Sequence, residues 1–323
     1  MLLSVFLAAA LTVPANAQDL LAQSRAALQA GEADHALELL HSLPSSDAGQ
    51  AEAHNLECRV RYTLEEWNEA VDQCEQAVRL DGQNSDYHLW LGQALGEKAD
   101  RASFIKAYSI AKRVPVEFEE AVRLNPRNAE ALFDLGEFYR QAPGVVGGGV
   151  DKAEGVAAKL DKVDPSRAHE LRGNMAESRK DYDAAEREFK QAVATGAHPA
   201  TEWTNLAAFY SRRQRWTEME SALHSALVAA RGDKHAAVAL YDGAGVLIDS
   251  KRDPALAAKM LEDYLASPGK TEEAPAFVAH YRLANLKEQL GDSAAATRER
   301  AAALALASEY KPTQGASSHE TRN

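Results

Sequence analysis

Two cysteines, Cys58 and Cys74, are all that 323 residues contain, which excludes a disulfide-framework fold and a cysteine-only structural zinc site. Basic residues are also short: 36 Lys and Arg face 48 Asp and Glu, a net charge of −12. That balance, with a pI near 5.4, argues against a protein built to hold a nucleic-acid backbone. Long apolar runs are missing after residue 17, and a mean hydropathy of −0.40 with 46% hydrophobic residues excludes both a multi-span membrane protein and an acidic disordered chain. Catalytic signatures are missing too. There is no Gly-x-Ser-x-Gly elbow, no Cys-His nucleophile pattern, and no carboxylate pair that stands out among the acids. None of the ten histidines forms His-Glu-x-x-His, and His35 and His41 are six apart, off the helical spacing a metal pair needs. No enzyme, cofactor or metal is expected.

What is present begins with a leader. Met1 to Ala17 reads MLLSVFLAAALTVPANA, an uncharged apolar stretch followed by the small-x-small pattern Ala15-Asn16-Ala17. It is shorter than the roughly 18 to 20 apolar residues of a spanning helix, and no basic cluster comes after it. Cleavage before Gln18 and export to the periplasm or the medium are expected, leaving no integral membrane span in the mature chain. The alternative is an N-terminal helix packed on the first helices of the fold.

After Gln18 the chain shows amphipathic helical periods punctuated by Gly82, Pro126, Pro165 and Pro199. Pro126 to Pro165 is 39 residues and Pro165 to Pro199 is 34. Between such marks large and small residues recur in order: Leu206, Tyr210, Leu223 and Ala226 follow Trp203 at spacings of 3, 7, 20 and 23. In this the chain resembles the tetratricopeptide repeat (TPR) family, whose period is 34 residues. The resemblance covers residues 18–310 and implies an all-α solenoid, a right-handed superhelix of about eight antiparallel helix pairs starting near residues 19, 51, 85, 129, 166, 200, 235 and 276. It looks like that of exported bacterial TPR proteins. Gly136 and Gly173 stand where two helices must approach closely, and Pro165 where a helix must stop.

Two insertions depart from the pattern. Near 96–117 the third repeat carries about ten extra residues, read as a lengthened second helix kinked at Pro115. Near 142–149 the fourth carries Ala142 to Gly149, ending in three glycines before a helix. That run either permits a turn packing Val145 and Val146 on the stack or offers free amides to an anion. Cys58 and Cys74 lie on opposite helices of the second repeat at one level, as a disulfide or as two buried thiols. Residues 311–323 form a polar tail expected to be disordered.

The resemblance also implies a concave groove lined by the first helix of each pair. Its positions transfer to Leu89, Trp90 and Gln93, then Phe133, Asp134, Glu137 and Arg140, then Glu170, Asn174 and Glu177. Thr204, Asn205 and Arg212 follow, and Tyr281, Arg282 and Asn285 complete the set. Aromatics among amides and mixed charges suit a peptide or a small polar ligand, although Trp90 and Phe133 could equally pack between repeats. The basic clamp by which some TPR proteins hold acidic tails is absent. The expected role is a non-catalytic scaffold for a protein or peptide partner in the bacterial cell envelope. A transporter-associated binder of a small solute is the alternative.

Overall fold

The structure is a computed structural model describing residues 15–44, 49–233 and 235–311, with side chains from residue 17 onward. Most of the expected leader, residues 1–14, and the tail from 312 lie outside the described residues. The described residues hold seventeen α-helices and no strand.

The helices pair antiparallel with their neighbours. α1 (Ala15–Ala30) lies on α2 (Ala33–His41), and α3 (Gln50–Thr63) on α4 (Trp67–Leu80). α5 (Ser85–Arg101) pairs with α7 (Val114–Leu124) across a short α6 (Phe104–Ala111), and α8 (Ala129–Gln141) pairs with α9 (Val150–Leu160). The remaining pairs are α10 (Pro165–Ser178) with α11 (Tyr182–Thr195), α12 (Ala200–Arg212) with α13 (Trp216–Ala229), α14 (Ala237–Asp249) with α15 (Pro254–Ala266), and α16 (Ala276–Gln289) with α17 (Ser293–Leu306).

One turn construction makes six of these eight pairs. Gly31, Glu65, Lys180, Gln214, Lys251 and Gly291 each take φ between 55° and 83°. The next amide reaches back five residues in every case: Glu32 to Ala27, Glu66 to Arg61, Asp181 to Ala176, Arg215 to Tyr210, Arg252 to Leu247 and Asp292 to Lys287, all at 2.9 Å. This is the left-handed closure that satisfies the last carbonyls of a helix and reverses the chain. A second register mark is a histidine on the first helix bonded to the second. His54 meets Gln73, His169 meets Glu188 and His280 meets Glu299, each 19 residues on, while His88 meets Glu117 29 residues on. The third pair therefore carries ten extra residues.

Those ten residues do not lengthen the second helix: α7 has 11 residues, whereas the first helix, α5, runs to 17. α5 stops at Arg101, α6 forms separately, and Pro115 stands in the first turn of α7, where its missing amide costs nothing. No kink is needed. In the fourth pair the chain passes through a 3-10 turn at Gly144–Val146; Val146 is buried, whereas Val145 is 69% exposed. Pro165 opens α10, with Asp164 accepting from the Arg167 amide at 3.2 Å.

Small residues set the helix crossings. A Cβ on Gly92 would lie 2.5 Å from the Phe118 ring, one on Gly173 3.1 Å from Phe189, and one on Gly136 would collide with Leu171. Continuous apolar layers run from α3 through α10 and from α10 to α16, so each pair is covered by its neighbours. Cys58 and Cys74 form a disulfide between α3 and α4, their Cα atoms 5.2 Å apart.

The solenoid also closes on itself. A third apolar cluster joins Leu21, Leu28 and Leu40 of the first pair to Phe277, Ala307 and Tyr310 at the end of the chain. Gly31 packs so tightly that a Cβ there would sit 2.5 Å from the Ala276 amide nitrogen. The Ser308 amide donates to Asp34 at 2.8 Å, and Arg59 on α3 binds Glu272 in the loop before α16. The eight antiparallel pairs expected from the sequence thus wind into a ring whose first and last pairs touch.

Candidate functional site

The first helices of successive pairs lie side by side, so their polar residues meet along the inner face of this ring. The Gln93 amide donates to Glu130 at 3.1 Å and to Asp134 at 2.8 Å, bridging α5 and α8. Between α8 and α10, Arg140 holds Glu137 at 2.6 Å and Ser178 at 2.6 Å, and Asn174 donates to Glu137 at 3.0 Å. Between α10 and α12, Arg212 grips Glu177 through two nitrogens, the shorter contact 2.7 Å. Three guanidinium groups stand over inner aromatic rings: Arg59 over Trp90 at 5.1 Å, Arg167 over Phe133 at 5.5 Å and Arg282 over Tyr241 at 4.5 Å.

Carboxylates outnumber cations along this wall, and its enclosure disfavours their charge. Desolvation by burial pushes Asp134 up to about 7, with Glu130 adding repulsion. Desolvation likewise pushes Glu170 up to about 7, against the attraction of Arg167. Glu202 and Glu273 are raised by the same cause. Arg167 loses hydration, yet Glu170, Glu130, Asp134 and Asp164 together raise it. Several polar atoms have no partner among the described residues: Asn55 Nδ2, Gln93 Oε1 and Arg282 Nη1 are buried and unbonded.

Where the ring closes there is a cavity of about 410 Å³. Arg25, Asn55 and Arg59 line it from α1 and α3, Tyr87 and Trp90 from α5, Glu130 from α8, and Glu272 and Glu273 from the loop before α16. Arg25 pairs with Glu52, and Arg59 with Glu272, while Glu130 and Glu273 form no ion pair among the described residues.

The residues expected from sequence divide between contacts along the wall, packing positions and unbonded positions, with Glu170 on the wall under the attraction of Arg167. Gln93 and Asp134 meet one another, as do Glu137, Arg140 and Asn174, and Glu177 meets Arg212. Trp90 and Phe133 both pack on the core and lie beneath arginines, so the packing and the lining readings hold together. Leu89 is buried in the core beneath the cavity, and Thr204 is buried with its hydroxyl shared between Ala200 and Ala239 carbonyls at 3.1 and 3.2 Å, tying α12 to α14. Tyr281 stacks edge-on to Tyr310 at 6.4 Å near the closure, with Arg282 beside it over Tyr241. Asn205 is partly buried and Asn285 exposed, and neither makes a side-chain hydrogen bond among the described residues. Arg25, Asn55, Arg59, Arg167, Glu272 and Glu273 were not foreseen. Glu272 and Glu273 stand between repeats, and only closure brings them to α3.

No protein-family model matches the chain. A stretch of 152 residues, 46% of the chain, is 30% identical to Superkiller complex protein 3 of Mus musculus, and spans only 9% of that protein's length. Among solved structures, a thermophilic TPR protein of Thermus thermophilus is similar at 18% identity, a TM-score of 0.49, and coverage of 60% of this chain and 98% of that one. A tetratricopeptide repeat protein of Parabacteroides merdae is similar at 14% identity and a TM-score of 0.48, covering 85% of this chain and all 100% of that one. YrrB, a TPR protein with an unusual peptide-binding site, is 24% identical with a TM-score of 0.37, over 55% of this chain and 81% of its own.

Proposed function

Starting from a tetratricopeptide-repeat solenoid whose ends meet, we propose that this chain is a non-catalytic interaction scaffold of the bacterial cell envelope. In this reading it holds an extended segment of a partner protein against the inner face of the ring. One observation carries it: the inner wall presents aromatic rings and carboxylates that form no close ion pair among the described residues, Glu130 and Glu273 being two of them, with Arg167 acting on both at longer range. Burial raises the pKa of several of these carboxylates. A wall short of positive charge suits a segment bearing Lys or Arg, whose cations would restore ionised carboxylates. Export rests on the leader Met1–Ala17.

The cavity favours a second reading. A volume of about 410 Å³ with Trp90, Tyr87 and several acids on its walls is sized for a small organic solute.

A photo-crosslinking amino acid in place of Glu273, expressed in the native host, separates the two. The scaffold reading expects a protein adduct that Trp90→Ala combined with Phe133→Ala abolishes without loss of folding. Absence of any protein adduct, with a small molecule retained in native mass spectra, would replace it by the solute binder. The mass of the purified chain tests export: it should begin at Gln18.

A further inference from the structure

The third repeat's extra helix stands outside the direct pairing of α5 and α7. It lies on α5 with Ile110 partly buried against the core, and none of its residues is fully buried. Phe104 is 90% exposed and its neighbour Ile105 82%, with Tyr108 and Val116 also exposed. The second insertion reaches the start of α7, where a Cβ on Gly147 would be 3.5 Å from Pro115 Cγ, and it carries exposed Val145 and Val150 of its own. The exposed side chains of α6 form an apolar projection.

Its charge is opposite to that of the molecule. Residues 101–116 hold four cations and no acid in a chain of net −12. Arg101 and Arg113 are engaged by Glu97 and Glu75. Among the described residues Lys106 forms no ion pair, and Lys112 stands with Nζ 4.5 Å from the Tyr108 ring centre, likewise without a carboxylate partner.

We propose that this projection docks on the surface of an anionic lipid bilayer. Phe104 and Ile105 enter the acyl boundary, Tyr108 lies at the head groups, and Lys106 and Lys112 meet lipid phosphates. A convex tip with two nearly fully exposed apolar side chains needs no matching groove in a fluid, which parts around it, whereas a protein partner would have to supply one. The negative head groups provide the complementary charge. The ring would then be held at the membrane by its outer edge with its inner face free, so this inference stands or falls independently of what the inner face binds.

The test uses the mature chain with Ser103→Cys labelled by an environment-sensitive fluorophore; Cys58 and Cys74 are bonded and take no label. Vesicles of phosphatidylglycerol and phosphatidylcholine should raise and blue-shift the emission several-fold, and pure phosphatidylcholine vesicles should not. Phe104→Asp with Ile105→Asp should abolish the response at unchanged helicity, and Lys106→Glu with Lys112→Glu should weaken it at least about tenfold. The chain used is the one beginning at Gln18, so the apolar N-terminal segment does not contribute. No change with anionic vesicles overturns the proposal. So does an equal response from the aspartate variant, or a response that tracks self-association by light scattering, which would make the patch a protein contact.

Discussion

Arg59 on α3 and Glu272 in the loop before α16 are 213 residues apart in sequence, and they face each other in a two-point ion pair, one contact of which is 2.7 Å. Their side chains are only 16% and 12% exposed, and Arg59 also covers Trp90. The pair locks the first third of the solenoid to its last repeat and floors the cavity between them.

Arg59→Ala and Glu272→Ala should each destabilise the protein by about 1 to 3 kcal/mol, because each leaves a poorly hydrated charge alone. The double variant should cost less than the sum of the two. Urea denaturation of all four proteins measures the coupling, and additive losses would show that the contact does not hold the ring closed.

Gly136 and Gly96 make a matched contrast. A Cβ on Gly136 collides with Leu171, while one on Gly96 meets nothing within 4 Å. Gly136→Ala should therefore lose about 1 to 3 kcal/mol by overpacking. Gly96→Ala should be neutral or gain up to about 1 kcal/mol, since alanine is the better helix former. Thermal melts decide; equal effects at the two positions would contradict the crossing of α8 and α10.

The bond between Cys58 and Cys74 closes a loop across the turn of α3 and α4, 16 residues apart. Reduction, or Cys58→Ala with Cys74→Ala, should lower stability by about 2 to 3 kcal/mol through the freed unfolded chain. Because contacts are between neighbours, exchange protection should fall first in α3 and α4. Hydrogen exchange under oxidising and reducing conditions measures this, and uniform loss along the chain would argue against a local staple.

Stability should fall as pH rises from mildly acidic to alkaline. Asp134 and Glu170, raised to about 7, bind protons in the fold at pH values where the unfolded chain has released them. Their contribution is complete below about pH 4 and is lost as pH rises through about 7. His88, raised mainly by its bond to Glu117, adds stability in the same direction. Glu186, lowered to about 2 chiefly by Arg215, acts oppositely and loses its contribution only in strong acid. A maximum near pH 5 is expected. Asp134→Asn keeps an acceptor for Gln93 and should stabilise by about 1 to 2 kcal/mol at pH 8, discounted for partial exposure, with little effect at pH 4. Melting curves across pH check it, and a flat difference between variant and parent would refute the assignment.

The repeat itself was legible because its determinants are local. The spacing from Pro165 to Pro199, the small residues Gly136 and Gly173, and the order of Leu206, Tyr210, Leu223 and Ala226 each report a helix crossing within about one period. The turn between paired helices was legible only in part, since Glu65, Lys180 and Gln214 adopt positive φ without being glycine, driven by the hydrogen bonds on either side. The inner face was partly legible for the same local reason: Gln93, Asp134, Glu137, Asn174, Glu177 and Arg212 sit at repeating positions, and adjacent pairs bring them together. Pro115 misled because a proline that kinks a helix and one that starts a helix look alike until the neighbouring breaks are known. Closure was invisible. Pair-to-pair rotations are set by side-chain packing, and their sum along the stack decides whether the ends miss or meet. Sequence alone determined the helices, their pairing and much of the inner wall. Tertiary structure decided that Gly31 would reach Ala276, that Arg59 would find Glu272, and that the wall would become an enclosure where burial raises the pKa of carboxylates.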